Sequence, residues 1–252
     1  MRIEGSRSRR YYSLMNMERD DMTHLALLRA HTNCRDEFGD WLRTNLAPRI
    51  IAQPDITRFV IDVRNAPPEG PAGLYWPPSM RLDATNSQPW PGYDAAIIAD
   101  GTDARLHALW SDQELKDKTD IRHIFVVTER VMLDKGLISL GLPSTGTTYL
   151  RGMYFYDDLP LSARERSWIH HASLVEKVHV GVAKYVQWRV DGYVTDNCPP
   201  IGGVAELHFQ STKDLVDGLF DSERGRNEIA HDTKQFISGG LPRLFTDQYV
   251  FR

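Results

Sequence analysis

The sequence predicts an α+β protein built from two β-α-β-β-α-β repeats. Three observations carry this reading. A strand and helix pattern starts again after a glycine-bearing connector at 136–146. The stretch DITRFVIDVR (55–64) lies over GVAKYVQWRV (181–190) at a shift of 126, which sets Phe59 on Tyr185 and Asn45 on His171. In the ferredoxin-like order of each repeat, two helices cover one face of a four-stranded antiparallel sheet, and the apolar other face needs a second sheet against it.

In chain order, Tyr11 to Met17 reads as a strand and Met22 to Ala30 as a helix behind Asp20 and Asp21 as caps. Phe38, Trp41, Leu42, Leu46 and Ile50 recur at helical spacing, and Ile56 to Val63 reads as a strand. Residues 66–92 hold seven prolines, which cannot donate ladder hydrogen bonds, so they form a long loop; its Tyr75, Trp76 and Trp90 suit a lid or an interface. A strand at Tyr93 to Ala99, a helix at Ala104 to Lys116 and a strand at His123 to Leu133 complete the first repeat (11–134). The second (147–252) runs strand Thr148 to Tyr156, helix Ser162 to His179, and strands Val182 to Val190 and Val204 to Phe209. Helices at Lys213 to Leu219 and Glu223 to Ile237 and a strand at Arg243 to Phe251 follow. A shift of 109 pairs Ala95, Ile97 and Ala99 with Val204, Glu206 and His208.

Composition narrows the function classes. With 41% hydrophobic and 25% charged residues in 252, the chain has material for a proper core. No apolar run approaches the roughly 20 residues of a spanning helix. Met1 to Tyr12 carries four arginines with no apolar stretch behind them and reads as a frayed terminus. Cys34 and Cys198 are far apart with no CxxC, so a reducing cytoplasm is the expected setting. A net charge of −4 leaves no electrostatic footprint for nucleic acid. There is no GxGxxG after a strand, no GxxxxGK[ST] and no GxSxG, and 141–146 lacks a phosphate-loop lysine. The implied partner is a small molecule.

Ser167 to Val190 is the most informative stretch: a helix ending near paired histidines, a break at Gly181, and a strand with Val182, Lys184, Val186 and Trp188 on one face and Ala183, Tyr185, Gln187 and Arg189 on the other. His171-Ala172-Ser173-Leu174-Val175, Val180-Gly181-Val182 and Tyr185 resemble the corresponding run of the EthD-like domains, α+β modules of the dimeric α/β-barrel superfamily. Ser173 and Val180 depart from it, since proline is usual at both. Residues 203–207, 232–237 and 245–251 also read like the second half of such a domain. In that superfamily two chains normally pack their sheets together; here the tandem repeat implies a pseudo-dimeric α/β barrel made by one chain.

His171 is the first candidate for general acid/base work, because imidazole titrates near neutral pH. A helix-end histidine that only offsets the dipole is the plainer reading. His170 lies about 100° further round and is expected to face solvent. Alternation sends Ala205, Leu207 and Phe209 under the helices and Glu206 and His208 toward the cleft or barrel interior. There Glu206 would orient His171 or His208, or form a structural ion pair with Arg151, Lys184 or Arg189. Two histidines and a carboxylate are also a ligand set for iron or zinc, but no HxH or HExxH spacing supports a metal. Tyr185 either anchors a substrate oxygen or packs at the sheet. Trp168 and Trp188 suit a core, and Trp188, Arg151, Trp76, Trp90 and Asn45 are the expected substrate-binding set. The first repeat, with Asn45, Ile97 and Ala99 at the matching places, reads as scaffold.

The resemblance implies proton-transfer chemistry without a bound cofactor. The expected activity is a lyase, a decarboxylase or dehydratase of a small aromatic or phenolic acid, with His171 protonating carbon. Alternatives are a cofactor-free monooxygenase or isomerase of aromatic or polyketide-like compounds, and a non-catalytic small-molecule-binding module. Whether the chain pairs again as a homodimer stays open.

Overall fold

A computed structural model of the chain describes residues 21–65 and 92–252. The expected strand at Tyr11 to Met17 and the aromatic loop carrying Trp76 and Trp90 lie outside these residues. The first strand, β1, is Met22–Ala30, where a helix was expected. The reason is burial on both sides: Leu25 and Leu27 face one core while Ala26, Leu28 and Ala30 face another. Two-faced burial erases the alternation that marks a strand.

A continuous helical passage follows, made of α1 (Arg35–Trp41), a π turn (Leu42–Leu46) and α2 (Ala47–Ile51). Pro48 has no N–H for the carbonyl four residues back, and the π turn lies just before it. Then come β2 (Ile56–Arg64), β3 (Ala95–Gly101), and the helices α3 (Asp103–Ser111) and α4 (Gln113–Lys118). The expected single helix at 104–116 is therefore two, broken at Asp112, whose side chain accepts from Leu115 N–H to cap α4. Strand β4 (Thr119–Asp134) ends the first half. The second half contains β5 (Thr147–Phe155), α5 (Leu161–Val178), β6 (Val182–Tyr193) and β7 (Gly203–Phe209). It continues with α6 (Thr212–Gly218), α7 (Glu223–Thr233), β8 (Ile237–Gly240) and β9 (Leu244–Val250). The expected helix to residue 237 stops at Thr233, and the short β8 was not foreseen.

The strand order is β7-β6-β4-β1-β3-β2-β9-β5, closed by the β5·β7 pairing, with β8 added beside β5. Every pairing is antiparallel. Each half thus has its strands in the order fourth-first-third-second, and the seams between halves are β4·β6 and β2·β9. Closure removes every long open edge. Three cores result: one inside the barrel and one under the helices of each half. Phe59 and Tyr185 both face helices, as the 126 shift requires. The 109 shift is one residue out, because Ala95, Ile97 and Ala99 lie under helices while Ala96 and Ile98 point inward like Val204. Among the described residues no helix is long and apolar enough to cross a membrane.

Candidate functional site

A cavity of about 250 Å³ lies between the outer face of the second half-sheet and helices α5 and α7. An apolar cavity of about 150 Å³ holds one benzene, so this one has room for about two fused rings. The sheet wall supplies Tyr149, Arg151 and Met153 from β5, Tyr185 from β6, and Ala205 and Leu207 from β7. The helix wall supplies Trp168, His171 and Val175 from α5 and Ile229, Ala230 and Thr233 from α7. Residues 237–239 and Arg243 form the rim.

His171 is 8% exposed, and its Nδ1 lies 2.6 Å from Asp232 Oδ2. An imidazole that donates Nδ1–H to a carboxylate keeps its lone pair on Nε2, the tautomer a general base needs. The edge of the ring meets Phe236 at 5.7 Å between centroids, which fixes its tilt. His170, one residue earlier, is exposed.

Tyr185 is fully buried, and its oxygen accepts from Trp168 Nε1 at 3.1 Å and Gln187 Nε2 at 3.0 Å. Burial pushes the phenol up to about 12, with those two donors pulling the other way, so it is a protonated hydrogen-bond donor at neutral pH. His179 also lines the cavity. Burial lowers it to about 4, and as a neutral ring it donates from Nδ1 to the Leu219 carbonyl.

Of the sequence-predicted site residues, the cavity brings together His171, Tyr185 and Arg151. Glu206 and His208 are on the other side of the sheet. Alternation along β7 points them into the barrel, as expected, but α5 packs outside it, so Glu206 does not orient His171. His208 Nε2 stands 2.7 Å from Glu206 Oε1. Burial alone would raise Glu206, yet the His208 charge and the Trp188 indole N–H outweigh it and hold the carboxyl well below the usual range. Trp188 is therefore a barrel residue and not part of the cavity wall. Asn45 is exposed within the π turn and bonds Thr44, outside the lining of the cavity. Of the partners expected for Glu206, Lys184 adds its charge, Arg189 pairs instead with Glu165 and Asp191, and Arg151 lies on the cavity side of the sheet.

His179, Asp232 and Asp62 escaped sequence reasoning. Asp232 is 61 positions from His171, and only the fold joins them. Asp62, in the half read as scaffold, is wholly buried in the barrel and accepts from Thr246 at 2.9 Å, while Gln248 bridges it to Glu206. Burial, and then the Glu206 charge, push Asp62 well above the ordinary carboxyl range, which favours its protonated form. Among the described residues no group of three or more His, Cys, Asp or Glu side chains is placed to hold a metal ion.

No protein-family model and no curated protein matches the sequence. Solved structures do match in shape. An anthrone oxidase-like protein superposes with a TM-score of 0.54 at 8% identity, covering 93% of both chains. A candidate monooxygenase of Fusobacterium nucleatum subsp. nucleatum superposes at 0.50 and 8% identity, covering 94% of both. At such identity the likeness establishes architecture: this chain is an α+β protein with the dimeric α/β-barrel fold, both halves of the barrel supplied by one polypeptide.

Proposed function

We propose that the chain is a cofactor-independent oxygenase of a phenolic or polycyclic aromatic compound, with the cavity under α5 and α7 as its active site. The carrying observation is His171 in the wall of a largely apolar cavity, its Nδ1 bonded to Asp232 outside the lining. Shape neighbours described as anthrone oxidase-like and as a monooxygenase favour oxygenation over the decarboxylation expected from sequence, which has no support from them.

His171 Nε2 takes a proton from an activated ring carbon or its enol, and Asp232 stabilises the imidazolium that forms. Tyr185 donates its hydroxyl hydrogen to the substrate oxygen on which the negative charge gathers. The carbanion passes one electron to dioxygen, the resulting pair combines into a C–O bond, and imidazolium returns its proton to give a hydroperoxide. Loss of the remaining hydrogen on that carbon as a proton, with cleavage of the O–O bond, yields a carbonyl and one water. Overall a CH₂ group and O₂ become C=O and H₂O, and the substrate supplies every electron. The apolar wall keeps bulk water from the carbanion.

The test is oxygen uptake with anthrone as substrate, in parallel with carbon dioxide release from hydroxybenzoates. Uptake of one O₂ per anthrone, reduced roughly 10²- to 10⁴-fold by His171→Asn, is the expected result. Carbon dioxide release without oxygen uptake would restore the lyase reading, and ligand binding without turnover would leave a binding module.

A further inference from the structure

We infer that His179 is a second reading point of the cavity: its Nε2 accepts a hydrogen bond from the ligand, so the site selects aromatic compounds with a phenolic hydroxyl at the end remote from His171. This rests on reading the cavity as the ligand site and adds the class of compound it selects.

His179 caps the C-terminus of α5 and lines the cavity, yet the chemistry proposed above leaves it unused. Two glycines set its place. Gly181 N–H donates to the Gly218 carbonyl at 2.8 Å, and a Cβ on Gly218 would stand 2.6 Å from Gly181 Cα, so the two backbones touch. Asp221 N–H donates to the Val178 carbonyl at 2.8 Å. This lacing lays the Leu219 carbonyl against the imidazole, where it meets Nδ1. A carbonyl oxygen only accepts, so Nδ1 carries the hydrogen and Nε2 of the neutral ring is a lone pair. Burial keeps the ring neutral, lowering it to about 4. Phe220, at 5.2 Å between centroids, limits its tilt. With Nδ1 spent, Nε2 is the polar atom the ring has left for the cavity, and among the described residues nothing donates to it. A ligand hydroxyl satisfies that lone pair, whereas an ether or carbonyl oxygen would set a second lone pair against it. The lining hydroxyls lean the same way: Thr233 gives its hydrogen to the Ile229 carbonyl and Ser238 to that of Tyr154, so each offers the ligand only an acceptor. His179 lies about 12 Å beyond His171 along the α5 axis, while Tyr185 is tied to Trp168 at the His171 end. The hydroxyl is therefore held far from the reacting carbon.

The probes are 1-tetralone, 6-hydroxy-1-tetralone and 6-methoxy-1-tetralone, bicyclic ketones that differ only at the far end. Binding to the full chain is followed without oxygen by calorimetry and tryptophan fluorescence. The wild-type protein should bind the hydroxyketone roughly 5- to 30-fold more tightly than either of the others. His179→Asn keeps an amide N–H for the Leu219 carbonyl but has no Nε2. It should reduce the preference to within about 2-fold and hold 1-tetralone affinity within about 3-fold. His171→Asn should retain the preference, which assigns it to the remaining lining imidazole even where His179→Asn does not fold. Equal affinities for the three ketones, binding of none of them, or a folded His179→Asn protein that still favours the hydroxyketone would overturn the inference, as would loss of the preference in His171→Asn. If the preference holds as stated but no aromatic substrate consumes oxygen, the oxygenase reading fails and the hydroxyl site stands.

Discussion

Trp168 rests directly on Gly203, and replacing that glycine by alanine is the sharpest probe of the helix-to-sheet packing behind the cavity. An added Cβ would stand about 1 Å inside ordinary contact with two carbons of the Trp168 ring, and 3.0 Å from the Trp188 carbonyl oxygen. The indole cannot yield cheaply. It is buried, edge-on to Phe155 at 5.4 Å between centroids, and tied through Nε1 to Tyr185. Overpacking of this kind costs about 1–3 kcal/mol, and loss of the indole–phenol hydrogen bond adds about 1 kcal/mol. Gly203→Ala should therefore lose about 2–4 kcal/mol in urea denaturation followed by circular dichroism, with a fall in Tm of roughly 5–15 °C for a chain of this size. In a Trp168→Phe background, where the smaller ring leaves room, the same substitution should cost under about 1 kcal/mol. A loss below about 0.5 kcal/mol in the wild type, or an equal loss in both backgrounds, would show that the ring does not bear on this glycine.

Other outcomes follow from the same geometry. Asp232→Asn should keep the fold but lower oxygenase turnover by at least about 10²-fold, because an amide at Nδ1 no longer fixes the tautomer or stabilises imidazolium; unchanged turnover would remove Asp232 from the site. Burial lowers His24, His123 and His179 to about 4 in the folded chain. Their neutral forms are thus favoured by folding; the stability they lend is intact above pH 6.5 and is lost as pH falls toward 4, at about 1.4 kcal/mol per pH unit for each. Urea melts between pH 7 and 4.5 should show that slope, and a flat profile would contradict it. Asp62 has the opposite sign. Its raised folded value means that it helps below its unfolded range and costs stability as pH rises, so Asp62→Asn should match or exceed the wild type in stability at pH 7 and lose that advantage near pH 3.

Most of the barrel was legible because most strands are short runs rich in β-branched and aromatic residues, bounded by turn residues. Tyr185 and Phe59 could be matched across halves on that basis. β1 was misread because both of its faces are buried, which hides alternation, and because its Leu- and Ala-rich run has helical propensity. Local spacing also placed Glu206 and His208 inside the barrel and His170 in solvent. It could not say that α5 lies on the other side of the sheet from them, since that depends on packing between elements. The partner of His171 was invisible for the same reason: Asp232 lies on α7, with two strands and a helix between it and α5 in the chain. Gln187 shows the limit inside a single strand. Its amide donates to the Trp168 carbonyl and to Tyr185, a role that depends on the turn of α5 above it.

Strand β7 alternates between two unrelated tasks. Ala205 and Leu207 form the floor of the cavity, whereas Val204, Glu206 and His208 belong to the polar and apolar filling of the barrel. Selectivity and closure are thus written on odd and even positions of the same seven residues. A library confined to the odd positions, extended to Tyr149 and Met153 on the neighbouring strand, can change which molecule fits while the carboxylates and amide that knit the halves together stay untouched.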